Sequence, residues 1–347
     1  MIDIKIVPIT KISDKVFQGF LLENLKNSKI NLINKKGEWL SKGNNNRFVL
    51  FQNNEPMAYF ALIPTKIMEN GKKRSAIWWI ELVVSKKNRG KGYQTIIDKH
   101  IKRREEIKLG FPNKLAAKIH LKHNWNVRSD LSYNLYPIKI KSIIGLNHIS
   151  RRFKLLSKFA ALLLFPITKV LNYATKNYKV KWSKKSANPS PEIFHEIFLS
   201  SNNVGLITTW RNVDHFNYRY FSSPNRSQFQ FYLSKKGSSF SHYCIARIFN
   251  KNGQKVMTIL DLYGDLNNSY YISDLLKLVL KDALKQNVVQ VTSLTSLPSI
   301  NLIFKRCGFI FSKKSRFCML DNSSNYYYPK KDQMHWTLGD ADNDIWN

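Results

Sequence analysis

The sequence predicts an α/β protein made of two domains of related outline. Three observations support this. The first half alternates strand-type and helix-type periodicity in the order β-α-β-β-β-α-β-α-β, which builds one mixed sheet. The second half repeats that outline. Between strand and helix in the first half lies a basic, glycine-punctuated loop, Arg89-Gly90-Lys91-Gly92. A chain of 347 residues is long enough for a core in each domain. The expected division is 1–142, a basic and apolar helical linker at 143–188, a second domain at 189–325, and an aromatic then acidic tail at 326–347.

In order, residues 2 to 9 alternate as a strand. Val16, Phe17, Phe20, Leu21 and Leu25 then mark an amphipathic helix, with Asp14 near its start. Residues 47 to 52 and 56 to 66 read as strands joined at Asn53-Asn54-Glu55, and Glu69-Asn70-Gly71 turns into a strand at 75 to 85. Its apolar run, Ile77 to Val84, has the length of a buried strand. Ile96, Ile97 and Ile101 form one face of the next helix, which reaches about Glu106. A short strand follows at 107 to 111. Asn113 caps a helix to His123, Asn124 supplies a left-handed closing residue, and Ser132 to Tyr136 alternate again.

Residues 144 to 186 change character. Phe159 to Leu171 is mostly apolar around Pro166, and Arg151, Arg152, Lys154, Lys158, Lys169, Lys176 and Lys179 surround it. Two readings stand: an interfacial helix pair on an anionic membrane, or an interdomain helix packed against one domain. In the second half a helix covers about 191 to 200, and strands fit 228 to 234, 240 to 249 and 255 to 262. A helix starts at Ser273, a short strand spans Val288 to Thr292, and a last helix ends at Cys307-Gly308-Phe309.

Lys and Arg number 56 against 23 Asp and Glu, a net charge of +33. An A+T-rich coding bias would enrich Lys, Asn and Ile, but it would enrich Asp and Glu codons too. The excess therefore suggests a polyanionic partner or an anionic membrane surface, with a merely cationic soluble surface as the equal alternative. Hydrophobic content of 43% and charged content of 23% exclude a disordered chain. Cys244, Cys307 and Cys318 lack metal-ligand spacing, which favours a reducing compartment. With no signal-peptide pattern at the N-terminus and no run of roughly 20 apolar residues, the expected location is cytoplasmic, with membrane contact only at the periphery of its inner face.

The loop carries chemistry. A strand, a glycine turn and a helix start present free amides and a helix dipole to an anion, and Arg89 and Lys91 add charge. This first half resembles the GNAT acyltransferases, whose signature is Arg/Gln-x-x-Gly-x-Gly/Ala at this place. Arg89-Gly90-Lys91-Gly92-Tyr93-Gln94 matches at its first four positions, and Gln94 stands where a small residue is usual. Residues 113 to 125, with Asn113, Ala116, Ile119-His120 and Asn124-Trp125, match a second family pattern, Asn-x-x-Ala-x-x-Leu-Tyr-x-x-x-Gly-Phe. The resemblance implies mostly antiparallel GNAT-like domains and an acetyl-CoA or other acyl-CoA co-substrate held by Arg89, Gly90, Lys91, Gly92, Tyr93, Gln94 and Asn113. It also implies pairing of the pantetheine arm with the backbone near Val83 and Val84.

His120 takes the place of the family's tyrosine, a general acid for the leaving thiolate, and histidine can donate a proton near neutral pH. A structural histidine on a half-buried helix face is the equal alternative, and with His123 one turn on and no third ligand, no metal is expected. Glu81, an acid within an apolar strand, is the candidate base for the acceptor amine, unless alternation turns it away from the cleft.

The second half looks like a degenerate copy. No Lys or Arg lies between Asp261 and Asp274, Asp261 and Asp265 would repel a pyrophosphate, and Phe304 and Leu297 fill the positions of His120 and Asn113. Trp210-Arg211, Tyr218-Arg219-Tyr220 and Pro224 either shape an acceptor cleft or pack internally. Asp340, Asp342 and Asp344 suit docking on the basic body or reaching that cleft better than a cation loop. The implied activity is N-acyl transfer to an amine acceptor, by fold-level analogy an amino sugar or an envelope or surface-polysaccharide precursor. Two alternatives are a Fem-type peptidyltransferase using aminoacyl-tRNA, which the charge suits but the loop does not need, and a non-catalytic basic protein on membrane or nucleic acid.

Overall fold

A computed structural model describes residues 3–27, 46–139, 154–201, 205–321 and 328–340, with Asn203 and several positions between 29 and 37. The chain forms two units. One comprises Met1–Ser129 with Arg316–Tyr328, and the other Asp130–Ser315 with the tail from Pro329.

Unit 1 runs β1 (Ile4–Pro8), α1 (Asp14–Asn24), β2 (Arg47–Gln52), β3 (Glu55–Glu69), β4 (Lys72–Val84), α2 (Tyr93–Lys102), β5 (Ile107–Gly110), α3 (Lys114–Lys122) and the start of β6 (Asn126–Pro137). Asn53 and Asn54, and Asn70 and Gly71, all take positive φ. Paired left-handed residues make the hairpin turns whose twist suits antiparallel strands. The sheet order is β1-β2-β3-β4-β5, antiparallel except for β4 with β5. A last strand comes from far along the chain, where Cys318–Leu320 pair antiparallel with Lys108–Gly110. Leu50, Phe60, Leu62 and Ile77 of the sheet bury Tyr93, Ile97 and Ile101 of α2. Each such side chain stabilises the fold by about 1.5–3 kcal/mol.

Unit 2 contains the rest of β6, α4 (Lys154–Asn177), β7 (Ser183–Ser186), α5 (Pro191–Ser200), β8 (Phe229–Lys236), β9 (Ser239–Lys251), β10 (Gln254–Gly264), α6 (Ser269–Lys285), β11 (Gln290–Thr295), α7 (Pro298–Arg306) and most of β12 (Ile310–Leu320). Its sheet order is β6-β11-β10-β9-β8-β7, again with one parallel pair, β10 with β11. The helix expected from Ser273 begins at Ser269, and the strand expected at 288 to 292 lies at Gln290–Thr295. Within the described part of the linker one helix, α4, runs through Pro166, where the sequence left open a helix pair or a single packed helix. Proline removes one helical hydrogen bond, and packing offsets that loss: Thr168 and Thr175 are buried, the Tyr136 and Thr175 hydroxyls meet at 3.0 Å, and Asn172 Nδ2 donates to the Ile138 carbonyl at 3.0 Å. Residues 140–153 lie outside the described residues.

Pairing of β10 with β11 ends at Ile259 and Ser293, and the chain's own tail fills the gap beyond. The Ser296 hydroxyl donates to the Met334 carbonyl and accepts from the Trp336 amide, both at 2.7 Å. His335 Nε2 lies 2.9 Å from the Leu262 carbonyl. Arg211 donates from Nε to Asp261 at 3.0 Å and from Nη2 to Asp340 at 2.9 Å. About 10 Å³ of cavity remains there. Asp261, expected to repel an anion, is instead half of a buried ion pair. Arg211 and Tyr220 are fully buried and Arg219 nearly so, which makes their segment an internal packing element, although Pro224 stays exposed. The tail carboxylate Asp340 docks on this basic group; Asp342 and Asp344 lie outside the described residues.

Candidate active site

In unit 1 the corresponding gap is open. β4 pairs with β5 only from Ala76 to Trp79, matched with Ile107 to Gly110. Beyond Trp79 the strands part, and a cleft of about 950 Å³ opens between them. A bulge marks the divergence: Glu81 pairs with Ala61 and Trp79 with Leu62, leaving Ile80 as the extra residue. The Trp79 indole braces the bulge by donating to the Glu81 carbonyl at 2.9 Å. From Ile80 to Val84 the β4 backbone lines the cleft with no pairing to β5.

The glycine loop closes one end. Gly90 and Gly92 have φ of 86° and 87°, a conformation that side-chain-bearing residues adopt only with strain. Gly92 is the N-cap of α2 and offers no side chain to its first turn, so the amides there stay open to an anion. The loop start is pinned where the Lys86 amide donates to Asn24 Oδ1 at 2.6 Å. Arg89, Lys29, Lys118 and Lys122 line the cleft, with Glu81 as its one acid among the described lining residues.

Of the residues singled out in the sequence, Glu81, Val83, Val84, Arg89, Gly90, Gly92, Tyr93, Gln94, Asn113 and His120 all line this cleft. Lys91 does not line it; its Nζ donates to Asn88 Oδ1 at 2.9 Å. Tyr93 also belongs to the core, with its hydroxyl donating to Gln52 at 2.6 Å. Asn113 caps α3 by accepting from the Leu115 and Ala116 amides, both at 2.9 Å. Gln94 Nε2 is buried and has no hydrogen-bond partner, which leaves a donor for a ligand.

The Glu81 carboxylate accepts from the buried Tyr59 hydroxyl at 2.7 Å, and Arg47 Nε donates to the same Tyr59 oxygen at 3.2 Å. Burial and then the Glu81 charge hold the Tyr59 phenol well above its ordinary pKa, so it stays a donor. His120 is 5% exposed. Its Nδ1 lies 3.1 Å from Oδ1 of Asp98 on α2, a residue with no exposed surface, and His123 Nδ1 lies 3.2 Å from the other oxygen. Trp79 meets the His120 ring edge-on at 5.0 Å, and the Trp125 ring centroid is 4.6 Å away.

Sequence reasoning gave no site role to Asp98, Trp79, Trp125 and Cys318, although the last three line the cleft. A signal existed for Asp98: it stands beside Ile97 on the face of α2 that the isoleucines bury. Burial, and then the Asp98 charge, push the Cys318 thiol well up, which keeps it a thiol and a wall residue. Among the described residues no cluster of three or more His, Cys, Asp or Glu is placed to hold a metal, and no helix is long and apolar enough to cross a membrane.

No protein-family model and no curated protein sequence matches the chain. Its fold does match solved structures. N-myristoyltransferase of Saccharomyces cerevisiae, solved with bound myristoyl-CoA, aligns with a TM-score of 0.58 over 91% of this chain and 82% of its own, at 12% identity. A GCN5-related N-acetyltransferase from Anabaena variabilis aligns at 0.56 over 91% and 72%, at 11% identity. A GCN5-related N-acetyltransferase from Kribbella flavida aligns at 0.53 over 92% and 71%, at 11% identity. The chain has the GNAT fold, and its two units are GNAT-like, each a mixed, mostly antiparallel sheet flanked by helices.

Proposed function

We propose that the protein is an acyl-CoA-dependent N-acyltransferase whose reaction centre is the unit 1 cleft. The parting of β4 from β5 above an uncapped, glycine-started helix carries the reading: it places free strand backbone and free helix amides along one cleft. Backbone at Val83 and Val84 pairs with the pantetheine arm and polarises the thioester carbonyl. The first turn of α2, with Arg89 and the Gln94 amide, holds the pyrophosphate. Lys91 adds charge from outside the cleft wall.

Glu81 takes a proton from the acceptor ammonium, directly or through water. The freed amine attacks the carbonyl carbon, a C–N bond forms and the C–S bond breaks. His120 passes a proton to the departing sulfur, giving an amide and a free thiol. Positioning supplies most of the rate, because a thioester is already activated. The acceptor is an amine, and an amino sugar on a nucleotide or lipid carrier suits the cationic chain. At the periphery, the exposed side chains of Ile167, Val170 and Tyr173 on α4 form an apolar strip beside Lys169 and Lys176, fitted to an anionic membrane surface.

Calorimetry with acetyl-CoA and longer acyl-CoAs tests the core of this reading. One molecule binds per chain, and Gly92→Asp abolishes binding through a strained φ and a misplaced charge. Absence of binding by the unaltered protein at millimolar ligand refutes the acyl-CoA reading. Tight, steeply salt-dependent RNA binding in its place would favour aminoacyl-tRNA chemistry.

A further inference from the structure

Asp98 is a carboxylate with no exposed surface, between two helices and behind the cleft wall. Burying such a group is expensive unless donors satisfy it. The titratable groups facing it are His120 and His123 from α3 and the Cys318 thiol from β12. His120 on α3 and His123, the residue that closes it, sit three apart, and each places Nδ1 near one carboxylate oxygen, at 3.1 and 3.2 Å. A carboxylate only accepts, so His120 Nδ1, whose contact has hydrogen-bond geometry, must carry its proton, whereas the oxygen nearer His123 has no hydrogen-bond partner. In a neutral His120 the lone pair then falls on Nε2, and Nδ1 is withdrawn from chemistry. Trp79 and Trp125 pack against the same ring and limit its rotation. Trp125 adds a second feature: it lines the cleft, is 2% exposed, and its indole N–H has no hydrogen-bond partner.

We propose that Asp98 is a positioning residue for acyl transfer. It fixes the His120 ring by Nδ1, presents Nε2 to the reacting groups, and stabilises the imidazolium that delivers the proton to the leaving sulfur. This rests on the acyl-CoA reading of the cleft. The proton is accounted for: His120 Nε2–H goes to the thiolate as the C–S bond breaks, and the neutral ring regains a proton from the one released by the acceptor amine or from water. His123 shares the carboxylate and serves packing. A simple staple between α2 and α3 would fix the same His120 tautomer but would need no effect on turnover.

Nitrogen-15 NMR of histidine-labelled protein reads the tautomer without any assay, with the His120 signals assigned by their loss in His120→Gln. The neutral wild-type ring is expected as the Nδ1–H form; an Nε2–H ring overturns the proposal whatever the variants do. Asp98→Asn is expected to lower kcat tenfold or more, within the range set by acid–base groups, with KM and acyl-CoA affinity changed less than about twofold. Asp98→Asn combined with His120→Gln is expected to be no slower than His120→Gln alone. His123→Gln keeps kcat within about twofold of wild type. An Asp98→Asn enzyme that turns over at the wild-type rate, or losses that multiply in the double variant, overturns the proposal. Should Asp98→Asn fail to fold, an Nε2–H ring in the wild type still overturns the proposal. Failure of the wild type to bind acyl-CoA refutes the underlying reading separately, with the tautomer still measurable.

Discussion

Gln94 and two buried histidines show what single side chains contribute. Gln94 breaks the small-residue pattern of the glycine loop, yet its side chain leaves a buried amide donor without a partner at the cleft. Gln94→Ala is therefore expected to weaken acyl-CoA binding roughly 5- to 10-fold, the worth of one hydrogen bond, measured by calorimetry. Tighter binding would show that the side chain obstructs the ligand instead. In unit 2, burial and then Arg211 push His335 down to about 4 and His215 down to about 3. Both rings are neutral in the fold, whereas the unfolded chain protonates them near pH 6.5. The unfolded state thus binds more protons below about pH 6.5, and stability present above that pH is lost as pH falls toward 4. Denaturation followed by tryptophan fluorescence should show a loss of about 2 kcal/mol per histidine between pH 7.5 and pH 5; a flat profile contradicts these shifts. Asn113 as a cap and Asn124 as a left-handed closing residue were legible, because a helix end is encoded within a few residues. The burial of Asp98 was signalled by the isoleucine face of α2, but its histidine partners were not, because only packing joins them to it.

At the scale of elements, periodicity located β2, β3, β4, α2 and α3 well, since each buries one face. The splay of β4 from β5 was not legible: register depends on a bulge at Ile80 that no local pattern announces. The strand expected at 132 to 136 spans Asn126–Pro137, and β12, Ile310–Leu320, was not foreseen. Lys313, Lys314 and Arg316 break its apolar alternation, and its pairing is long-range. The acidic tail was read as docking on the basic body or reaching the acceptor cleft, and only the fold supplies its contacts, Arg211 and the gap beside β10. Asp340→Asn removes one of the two carboxylates around a fully buried Arg211, so the thermal midpoint should fall by an amount matching about 3 kcal/mol. Asn113→Ala should cost only about 1 kcal/mol, because that cap is exposed. Equal shifts in the two variants would contradict this ranking.

For the molecule as a whole, unit 1 takes a strand segment from far along the sequence, beyond most of unit 2, whereas unit 2 begins with its own. Cys318, which lines the unit 1 cleft, reaches β5 from beyond all of unit 2's helices in chain order, while Ser132–Pro137 pair with β11 in unit 2. Residues 1–142 expressed alone should leave the β5 edge unpaired, bind no acyl-CoA and aggregate through that edge, as light scattering would show. The same crossing constrains synthesis on the ribosome. At ~5–20 residues per second, the open edge of β5 waits about 10–40 s while residues 130–315 emerge. The Cys318 segment of the cleft wall is therefore made only after residues 130–315, so the cleft cannot be complete before they have emerged.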